Sequence, residues 1–344
     1  MTANYPRNCW YVAATVDEVT STPLGRRLVA EDVVLWRSQS GRVTAFENRC
    51  AHRAFPLTPS LVDGEQLVCG YHGCTYDQDG LCTHIPSQDR VPTGMRVRVF
   101  PVLEDPPFVW IWSGSPRAAA ISRPPAVPWV REAGWESFRT AWDVAANYLM
   151  VHEHYLDFSY APILHAADIP ASIRSMPAFS EVEVTETTVT YTRVLPPARP
   201  TDWEAEAGGL PRDVDYRRTE EGTFASPALH LQRWDVETPA GETLTTTRVH
   251  AITPIDDTST RVVMVSSRNY ALGRPASTER LKAFLAGVAT RDTAVLEMAA
   301  RHSGYDRWRD GVEFQADLAS LRLRRIVDDL LGQEARSPHI ASAR

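Results

Sequence analysis

The sequence predicts an α+β protein with two domains, an all-β domain followed by a domain of strands and helices. Residues 8 to about 113 form short alternating runs broken by turn sequences such as "SQSG" and "DG". The stretch "SGSPRAAAISRPPAVP" at 113–128 has the Pro, Ser and Ala content of a linker. Helical and strand-like runs alternate after it. The predicted boundaries are a domain at 1–115, a linker at 116–128 and a domain at 129–344.

The elements of the second domain follow from local signals. "AWDVAANYLMVHEHYLDFSY" (141–160) favours a helix that Pro162 should end. The Thr- and Val-rich runs at 181–195 and 242–255 indicate strands. A clear helical run covers 277–302, with Ser277 or Thr278 as its expected cap, and a last helix is expected near 315–331.

Composition and charge exclude several functions. The 344 residues include 36 Lys and Arg against 43 Asp and Glu, a formal charge of −7. This mild acidity argues against nucleic-acid binding and against a basic membrane-binding surface. The first ten residues lack the apolar run of a signal peptide, and "PPFVWIW" (106–112) is too short to cross a bilayer. Five cysteines, an odd number, fit a reducing cytoplasm better than a disulfide framework.

Two Cys/His pairs in the first domain predict a metal centre. Cys50 and His52 form a C-x-H pair, and after sixteen intervening residues Cys69 and His72 form a C-x-x-H pair. Each short pair sets its own geometry, and the two loops can close on one another. Two Cys on one iron and two His on the other hold a Rieske [2Fe–2S] cluster. The order of the pairs favours this cluster over a Cys₂His₂ zinc site and over two unrelated pairs.

The other three cysteines have no such pattern. Cys9, Cys74 and Cys82 are expected to be small packed or exposed residues without a ligand role.

Six segments together resemble a Rieske non-haem iron oxygenase α subunit. They are "NCWYVAA", "PLGRRLV", "CAHRAFPL", "CGYHGCTYD", "FVWIW" and "LDFSYAPILH". The layout is that of the short members that attack aromatic methyl ethers or aromatic acids. The resemblance implies an N-terminal Rieske domain, a C-terminal helix-grip catalytic domain of antiparallel sheet plus helices, and a homotrimer.

The same resemblance implies a second, mononuclear iron site. Family members carry D-x-x-H-x4-H, and a later acid completes a triad of two His and one carboxylate. Carried over to this sequence, Asp157 would bridge electron transfer from the cluster of a neighbouring subunit. His165 would be the second histidine of the triad and Asp292 its carboxylate.

Asp292 also stands out without the resemblance. It lies eleven residues after Leu281, close to three helical turns, and therefore on the apolar stripe of the helix at 277–302. A carboxylate on a buried face is costly unless it is paired or binds a metal. The simpler alternative is an ion pair with an arginine such as Arg291.

Position 160 departs from the family pattern, because Tyr160 stands where the first histidine ligand is expected. Four interpretations are open. His154, one turn before Asp157, replaces the missing ligand; Tyr160 binds iron as a phenolate; the iron is weakly bound or absent; or the tyrosine was introduced artificially. Phenolate would favour ferric iron, whereas oxygen activation begins from the ferrous ion. The plain alternative for His154 is a structural helix histidine.

The implied activity is hydroxylation or O- or N-demethylation of a small substrate, aromatic or carboxylate-bearing, with O₂. NAD(P)H electrons would come from a separate ferredoxin or flavin reductase, since the sequence contains no G-x-G-x-x-G fingerprint after a strand. His250, Arg233 and Trp234 are candidate substrate contacts, because arginine pairs with carboxylates and tryptophan stacks on rings. Each of the three also fits an ordinary sheet position.

A second class of function is left open by Tyr160. The chain would then be an altered or inactive Rieske subunit, acting as an electron carrier or as a partner in a hetero-oligomer. A zinc-bound scaffold is a more distant alternative. The retained Asp157, His165 and Asp292 favour the oxygenase.

Overall fold

The computed structural model describes residues 5–336, which form two compact units. The first unit contains the residues up to Pro124 together with 253–256 and 331–336, and the second contains 125–252 and 257–330. The change between units falls inside the segment interpreted as a linker, which carries a short helix α1 (Pro116–Ala120). Two short segments from the C-terminal half thus belong to the first unit, so the units are not continuous in sequence.

The first unit is all-β apart from α1, the helical segment 331–336 and a few single turns. Its strands form three antiparallel sheets, ordered β1-β11-β10, β2-β3-β4-β9 and β5-β6-β7-β8. The strands are β1 (Trp10–Thr15), β2 (Leu24–Leu28), β3 (Glu31–Arg37), β4 (Val43–Glu47), β5 (Leu61–Asp63), β6 (Gln66–Val68), β7 (Thr75–Tyr76), β8 (Cys82–His84), β9 (Val99–Phe100), β10 (Val102–Asp105) and β11 (Phe108–Trp112). The turn sequences "SQSG" and "DG" connect β3 to β4 and β7 to β8, as predicted.

The second unit is built on a seven-stranded sheet ordered β12-β18-β17-β16-β15-β14-β13. The strands are β12 (Glu136–Val144), β13 (Glu181–Val184), β14 (Val189–Ala198), β15 (Tyr216–Ser226), β16 (Leu229–Glu237), β17 (Thr243–Asp256) and β18 (Ser259–Arg268). The helices are α2 (Tyr148–Asp157), α3 (Ala161–Leu164), α4 (Asp202–Gly208), α5 (Pro275–Arg309) and α6 (Leu318–Arg336). The expected antiparallel sheet with helices is therefore present.

The prediction of one helix over 141–160 was wrong at its start. Residues 141–144 belong to β12, whose exposure alternates residue by residue, and α2 begins only at Tyr148. The Asn147 side chain accepts a hydrogen bond from the Leu149 N–H and caps α2. Nine of the ten residues of α2 are buried, so the segment has little of the periodicity that would have separated it from the strand.

The long helix α5 begins earlier than predicted. Pro275 is its first residue, a position where the missing N–H costs nothing, and neither Ser277 nor Thr278 caps it. Its backbone is non-helical at Gly304, where the φ angle is 66°. Leu281 and Leu285 of α5 pack with Trp234 of the sheet in one buried cluster, which fixes this face of α5 against the sheet.

Candidate iron centres

The two Cys/His pairs lie on neighbouring loops of the first unit. Cys50 and His52 follow β4, and Cys69 and His72 lie between β6 and β7. Both cysteines are almost fully buried, whereas both histidines are exposed. The two imidazole rings lie edge to face, with centroids 4.6 Å apart. Buried thiols beneath paired surface imidazoles fit a two-iron cluster with one iron on each side.

A close approach of backbone holds the two loops together. A Cβ atom at Gly70 would lie 2.1 Å from the carbonyl oxygen of Pro59, so no other residue fits there without moving the loop. The Gly70 N–H also donates to Ser60 Oγ at 3.2 Å. The ligand pair at Cys69 and His72 therefore depends on a glycine inside its own motif.

Tyr76 adds a polar contact to the cluster site. Its hydroxyl accepts a hydrogen bond from the Ala51 N–H and lies 3.1 Å from Cys50 Sγ. Because one lone pair is taken by the amide, the phenolic hydrogen is available to Cys50. Cys74 and Cys82, which were expected to be packing residues, are buried in the same hydrophobic cluster. Burial and the nearby Cys50 raise the pKa of Cys74 to about 11.

Three side chains from distant parts of the chain converge in the second unit. His154 comes from the last turn of α2, His165 follows α3, and Asp292 lies in the middle of α5. Asp292 Oδ1 is 2.7 Å from His165 Nε2 and 3.1 Å from His154 Nε2. All three residues are buried, as the apolar stripe predicted for Asp292.

Electrostatics favours a charged carboxylate in this cluster. Burial alone would raise the pKa of Asp292, but contacts with His154 and His165 outweigh it and hold the pKa well below its usual value. His154 Nε2 is buried and has no partner in hydrogen-bond geometry, although Asp292 is near. In its unprotonated tautomer, this nitrogen could bind a cation.

The donor set fits a ferrous ion. Two imidazoles and one carboxylate form the facial triad of non-haem iron oxygenases, and neighbouring ligands of an octahedral ion lie about 3 Å apart. The two contacts to Asp292 are of that size. Within residues 5–336, however, no group of three or more His, Cys, Asp or Glu side chains is arranged so that it could hold a metal ion. The carboxylate instead contacts the two rings directly.

Tyr160 lies against this cluster without being a charged group. Its ring stacks on His154, with centroids 4.1 Å apart and an angle of 12° between the planes. Burial first, and then the charge of Asp292, raises the pKa of Tyr160 well above its ordinary value. The side chain is therefore a neutral phenol, and it supports the His154 ring from one face.

The outer nitrogen of His165 also has defined neighbours. Asp168 Oδ2 lies 3.4 Å from His165 Nδ1, and Arg291 Nε donates to the same nitrogen at 3.2 Å. Arg291 forms an ion pair with Asp168. The alternative in which Arg291 neutralises Asp292 is therefore wrong, since its partner is Asp168.

Asp157 ends α2 and is half-buried. Its side chain accepts a hydrogen bond from the Ser159 N–H at 3.1 Å, and its backbone carbonyl accepts one from Arg193 at 2.5 Å. Phe158, the next residue, adopts a left-handed conformation with φ at 49°. Arg193 is itself paired with buried Glu220 at 3.0 Å, so the end of the helix is fixed by a charged network.

The three sequence-predicted substrate residues have different environments. His250 lines a small cavity together with Asp292 and stacks on Tyr155, and burial lowers the pKa of His250 to about 3. Trp234 lines an adjoining cavity, but its indole N–H donates to Glu204 at 3.0 Å. Arg233 is exposed and paired with Asp235 at 2.9 Å, and it lines neither cavity.

Sequence reasoning missed Arg248, which lines both cavities. It lies on β17 two residues before His250, and alternate residues of a strand face the same side. Because the sequence analysis already selected His250, the two-residue period of a strand would have been enough to select Arg248 as well.

Comparison with known proteins agrees with the two units. The Rieske [2Fe–2S] domain family matches residues 9–101, which contain both Cys/His loops. A chain with this cluster domain and a following helix-and-sheet unit has the organisation of a Rieske oxygenase component. The vanillate O-demethylase oxygenase C-terminal domain family matches residues 144–333, more than half of the chain, and the chain belongs to this family.

Individual relatives match over nearly their whole length. The vanillate O-demethylase oxygenase subunit of Pseudomonas sp. (strain HR199 / DSM 7063) is 28% identical, covering 96% of each chain. The dicamba O-demethylase oxygenase component of Stenotrophomonas maltophilia is also 28% identical, covering 96% of this chain and 99% of its own. A crystal structure of dicamba monooxygenase bound to dicamba superposes with a TM-score of 0.87 at 26% identity, covering 96% of this chain and 98% of that one.

The chain is therefore an oxidoreductase, the oxygenase component of a Rieske-type monooxygenase system. Its cofactors are a Rieske [2Fe–2S] cluster and a mononuclear iron, with electrons supplied from NAD(P)H through a reductase. The zinc alternative for the first site is wrong, and the alternative of an inactive subunit is not favoured. In the described part of the chain, no helix has the length and apolarity needed to cross a membrane.

Proposed function

We propose that this chain is an active Rieske oxygenase whose mononuclear iron is held by His154, His165 and Asp292, with His154 in place of the histidine missing at Tyr160. The observation that carries the proposal is the convergence of these three buried side chains, with Asp292 Oδ1 within 3.1 Å of both imidazoles. The phenol of Tyr160 is kept neutral by burial, which makes it a poor ligand and a good packing partner for His154.

The chain's own residues divide the work at this site. Asp292 stays ionised and supplies the negative charge that a ferrous ion needs, and the two imidazoles bind as neutral ligands. With Nε2 on the ion, His165 Nδ1 would carry the proton and donate it to Asp168, which Arg291 holds through an ion pair. When bound, the cluster supplies single electrons and the mononuclear ion activates O₂ for attack on the substrate. The apolar walls of the cavity keep water away from the reacting carbon.

Asp157 is proposed as the electron bridge to the cluster of a neighbouring copy in a homotrimer. Its half-buried carboxylate lies at the end of α2, three residues beyond His154, and Arg193 holds the backbone in place. Ile163, on α3, is 88% exposed and offers an apolar contact to another copy. Asp157→Asn should leave the iron content and the oligomeric state unchanged while slowing oxidation of the reduced cluster by O₂ and substrate.

The substrate is proposed to be a small aromatic compound that is hydroxylated or O- or N-demethylated, with a ferredoxin or a flavin reductase as electron donor. The cavity residues Phe158 and Leu285 provide an apolar surface for a ring. A cytoplasmic location is supported by the five cysteines, none of which forms a disulfide.

The deciding experiment is the iron content of protein purified anaerobically and reconstituted with ferrous iron. The proposal predicts about three irons per chain, because the cluster accounts for two. His154→Ala and His165→Ala should each reduce the content to about two, whereas exposed His302→Ala should leave it at three. Tyr160→Phe should also keep three.

Other results would overturn the proposal in distinct ways. Three irons in His154→Ala but two in Tyr160→Phe would mean that the phenol is the ligand. Two irons in the parent protein and a third iron after Tyr160→His would mean that the natural site is incomplete, as an inactive subunit requires.

A further inference from the structure

Arg248 is a half-buried cation that has no ion-pair or hydrogen-bond partner for its side chain among the described residues. It lies in the middle of β17, opposite Gln232 on β16, and lines both small cavities next to Asp292. Its Nε atom is buried and makes no hydrogen bond, and no carboxylate among residues 5–336 lies within ion-pair distance of it. A largely buried charge with no partner is destabilising as a general rule, so its retention calls for an explanation.

The nearest acids are already occupied. Asp292 and Glu220 act on Arg248 only at longer range. Asp292 contacts His154 and His165, while Glu220 pairs with Arg193 and accepts the Tyr191 hydroxyl. Neither can turn to Arg248 without abandoning these partners. The protein therefore surrounds the guanidinium with negative potential but does not neutralise it.

The open surface of Arg248 faces the cavity. Burial lowers the pKa of Arg248, as expected for a group deep in the fold, yet the residue keeps an intermediate solvent-accessible surface. These two facts agree if the accessible part belongs to the cavity, which Arg248 shares with Tyr160 and Asp292. Phe158, Leu285 and Val288 form apolar walls that are common to both cavities.

This arrangement defines what the cavity can hold. A planar guanidinium matches the two oxygens of a carboxylate or sulfonate. The two cavities enclose about 20 and 40 Å³, so binding of an aromatic ring requires the apolar side chains between them to move apart; with its anionic group on Arg248, the ring would then lie along these walls. Because Arg248 has no ion-pair partner in the protein, the negative charge of a bound ligand can form that ion pair.

We propose that Arg248 is the specificity-determining residue of the cavity and binds a carboxylate or sulfonate group on the aromatic substrate. The inference rests on the proposed function for the reaction but not for the binding step, which needs no iron. It commits the substrate class to anionic aromatics and excludes neutral rings as preferred ligands.

The test is anaerobic titration calorimetry on the full chain, iron-free and ferrous-loaded. The probes are 2-, 3- and 4-methoxybenzoate, the corresponding methoxybenzenesulfonates, and the neutral methoxybenzamides. In the parent protein, the best acid or sulfonate should bind at least about tenfold more tightly than its amide, since a charge-assisted contact is of that size. Arg248→Met should remove this preference, and Arg248→Lys should retain part of it.

The matched control is Arg233→Met, one strand away, where the arginine is exposed and already paired. It should leave the preference unchanged. Loss of Arg248 removes an unpaired charge, so Arg248→Met should fold with an unchanged or higher Tm. If Arg248→Met does not fold, Arg248→Lys is the deciding variant. Lysine keeps the charge but lacks the two parallel N–H donors of the guanidinium. A full tenfold preference for the anion in Arg248→Lys would therefore contradict recognition by the guanidinium.

Three outcomes overturn the inference: equal binding of acids and amides, a preference that survives in Arg248→Met, or no binding of any anion at millimolar concentration. The two proposals fail separately. Anion preference at Arg248 without a third iron would contradict the proposed iron triad but support the anion-binding site. A third iron without any anion preference would support the triad and contradict the anion-binding site.

Discussion

The two iron sites of this chain are built in opposite ways. The cluster site lies on two loops within about 25 residues of each other, its cysteines are buried, and its histidines are exposed. The mononuclear site draws its candidate ligands from α2, α5 and the residue after α3, and all of them are buried. The Cys/His motif of the first site is contiguous in the sequence, whereas the candidate ligands of the second site come from three separate segments.

The difference between the two sites indicates which of them could accommodate the replacement of a ligand residue. Near Cys50 and Cys69, Gly70 leaves no room to shift the backbone. In the second unit, His154 lies close enough to Asp292 to take the role that a histidine at position 160 would have had. Tyr160 then serves as a packing surface for the replacement ligand.

The largest expected effect comes from removing one candidate ligand at each iron site in separate variants. Cys69→Ser should abolish the visible colour of the cluster and leave the mononuclear iron bound. Asp292→Asn should do the opposite, because a neutral amide no longer balances the ferrous charge. Iron content and the visible spectrum measure both variants. Loss of both irons in either variant would contradict the view of two independently formed sites.

Acid should act on the second unit through its buried histidines. Burial lowers the pKa of His152 and His250 to about 3, below the value of about 6.5 expected when unfolded. The unfolded chain therefore takes up protons first, and stability is complete above about pH 6.5 and falls as the pH drops toward 3. Each histidine should contribute a slope of about 1.4 kcal/mol per pH unit in this window.

Urea unfolding of the iron-free chain between pH 5 and 6.5 measures this slope. His250→Gln should reduce the slope of the unfolding free energy against pH by the contribution of one proton, about 1.4 kcal/mol per pH unit. The exposed His302→Gln variant serves as the control. A slope that is the same in both variants would show that His250 is not held neutral by the fold.

An intermediate effect is expected from the outer contact of His165. Asp168→Asn should weaken ferrous binding at the mononuclear site by roughly tenfold or more, because outer carboxylates orient a metal-bound imidazole. The cluster should be unaffected. Ferrous titration monitored by equilibrium dialysis gives the affinity, and an unchanged affinity would show that Asp168 does not orient the ring.

The smallest effect should come from Tyr76→Phe at the cluster. The variant removes the hydroxyl 3.1 Å from Cys50 Sγ, and hydrogen bonds to the cluster sulfurs raise the reduction potential. The potential should therefore become more negative, with full cluster content. Redox titration followed by the visible spectrum measures it, and a potential equal to that of the parent would exclude Tyr76 as a donor.

The parts of the molecule that follow from local signals were predictable. The all-β first unit, the Cys/His loops and the burial of Asp292 follow from turn residues, motif spacing and helical periodicity. The start of α2 was missed because a nearly fully buried helix has no polar face. The contact of Arg291 with Asp168 depends on long-range packing, which no local pattern encodes, whereas Arg248 could have been found from the strand period that links it to His250.

The most direct test of the central claim is a crystal structure of ferrous-loaded protein with anomalous diffraction measured at the iron edge. The account predicts an iron peak within bonding distance of His154 Nε2, His165 Nε2 and the Asp292 carboxylate, with the Tyr160 hydroxyl outside that distance. An iron bonded to Tyr160 and not to His154, or no peak beyond the two cluster irons, would contradict the rebuilt site.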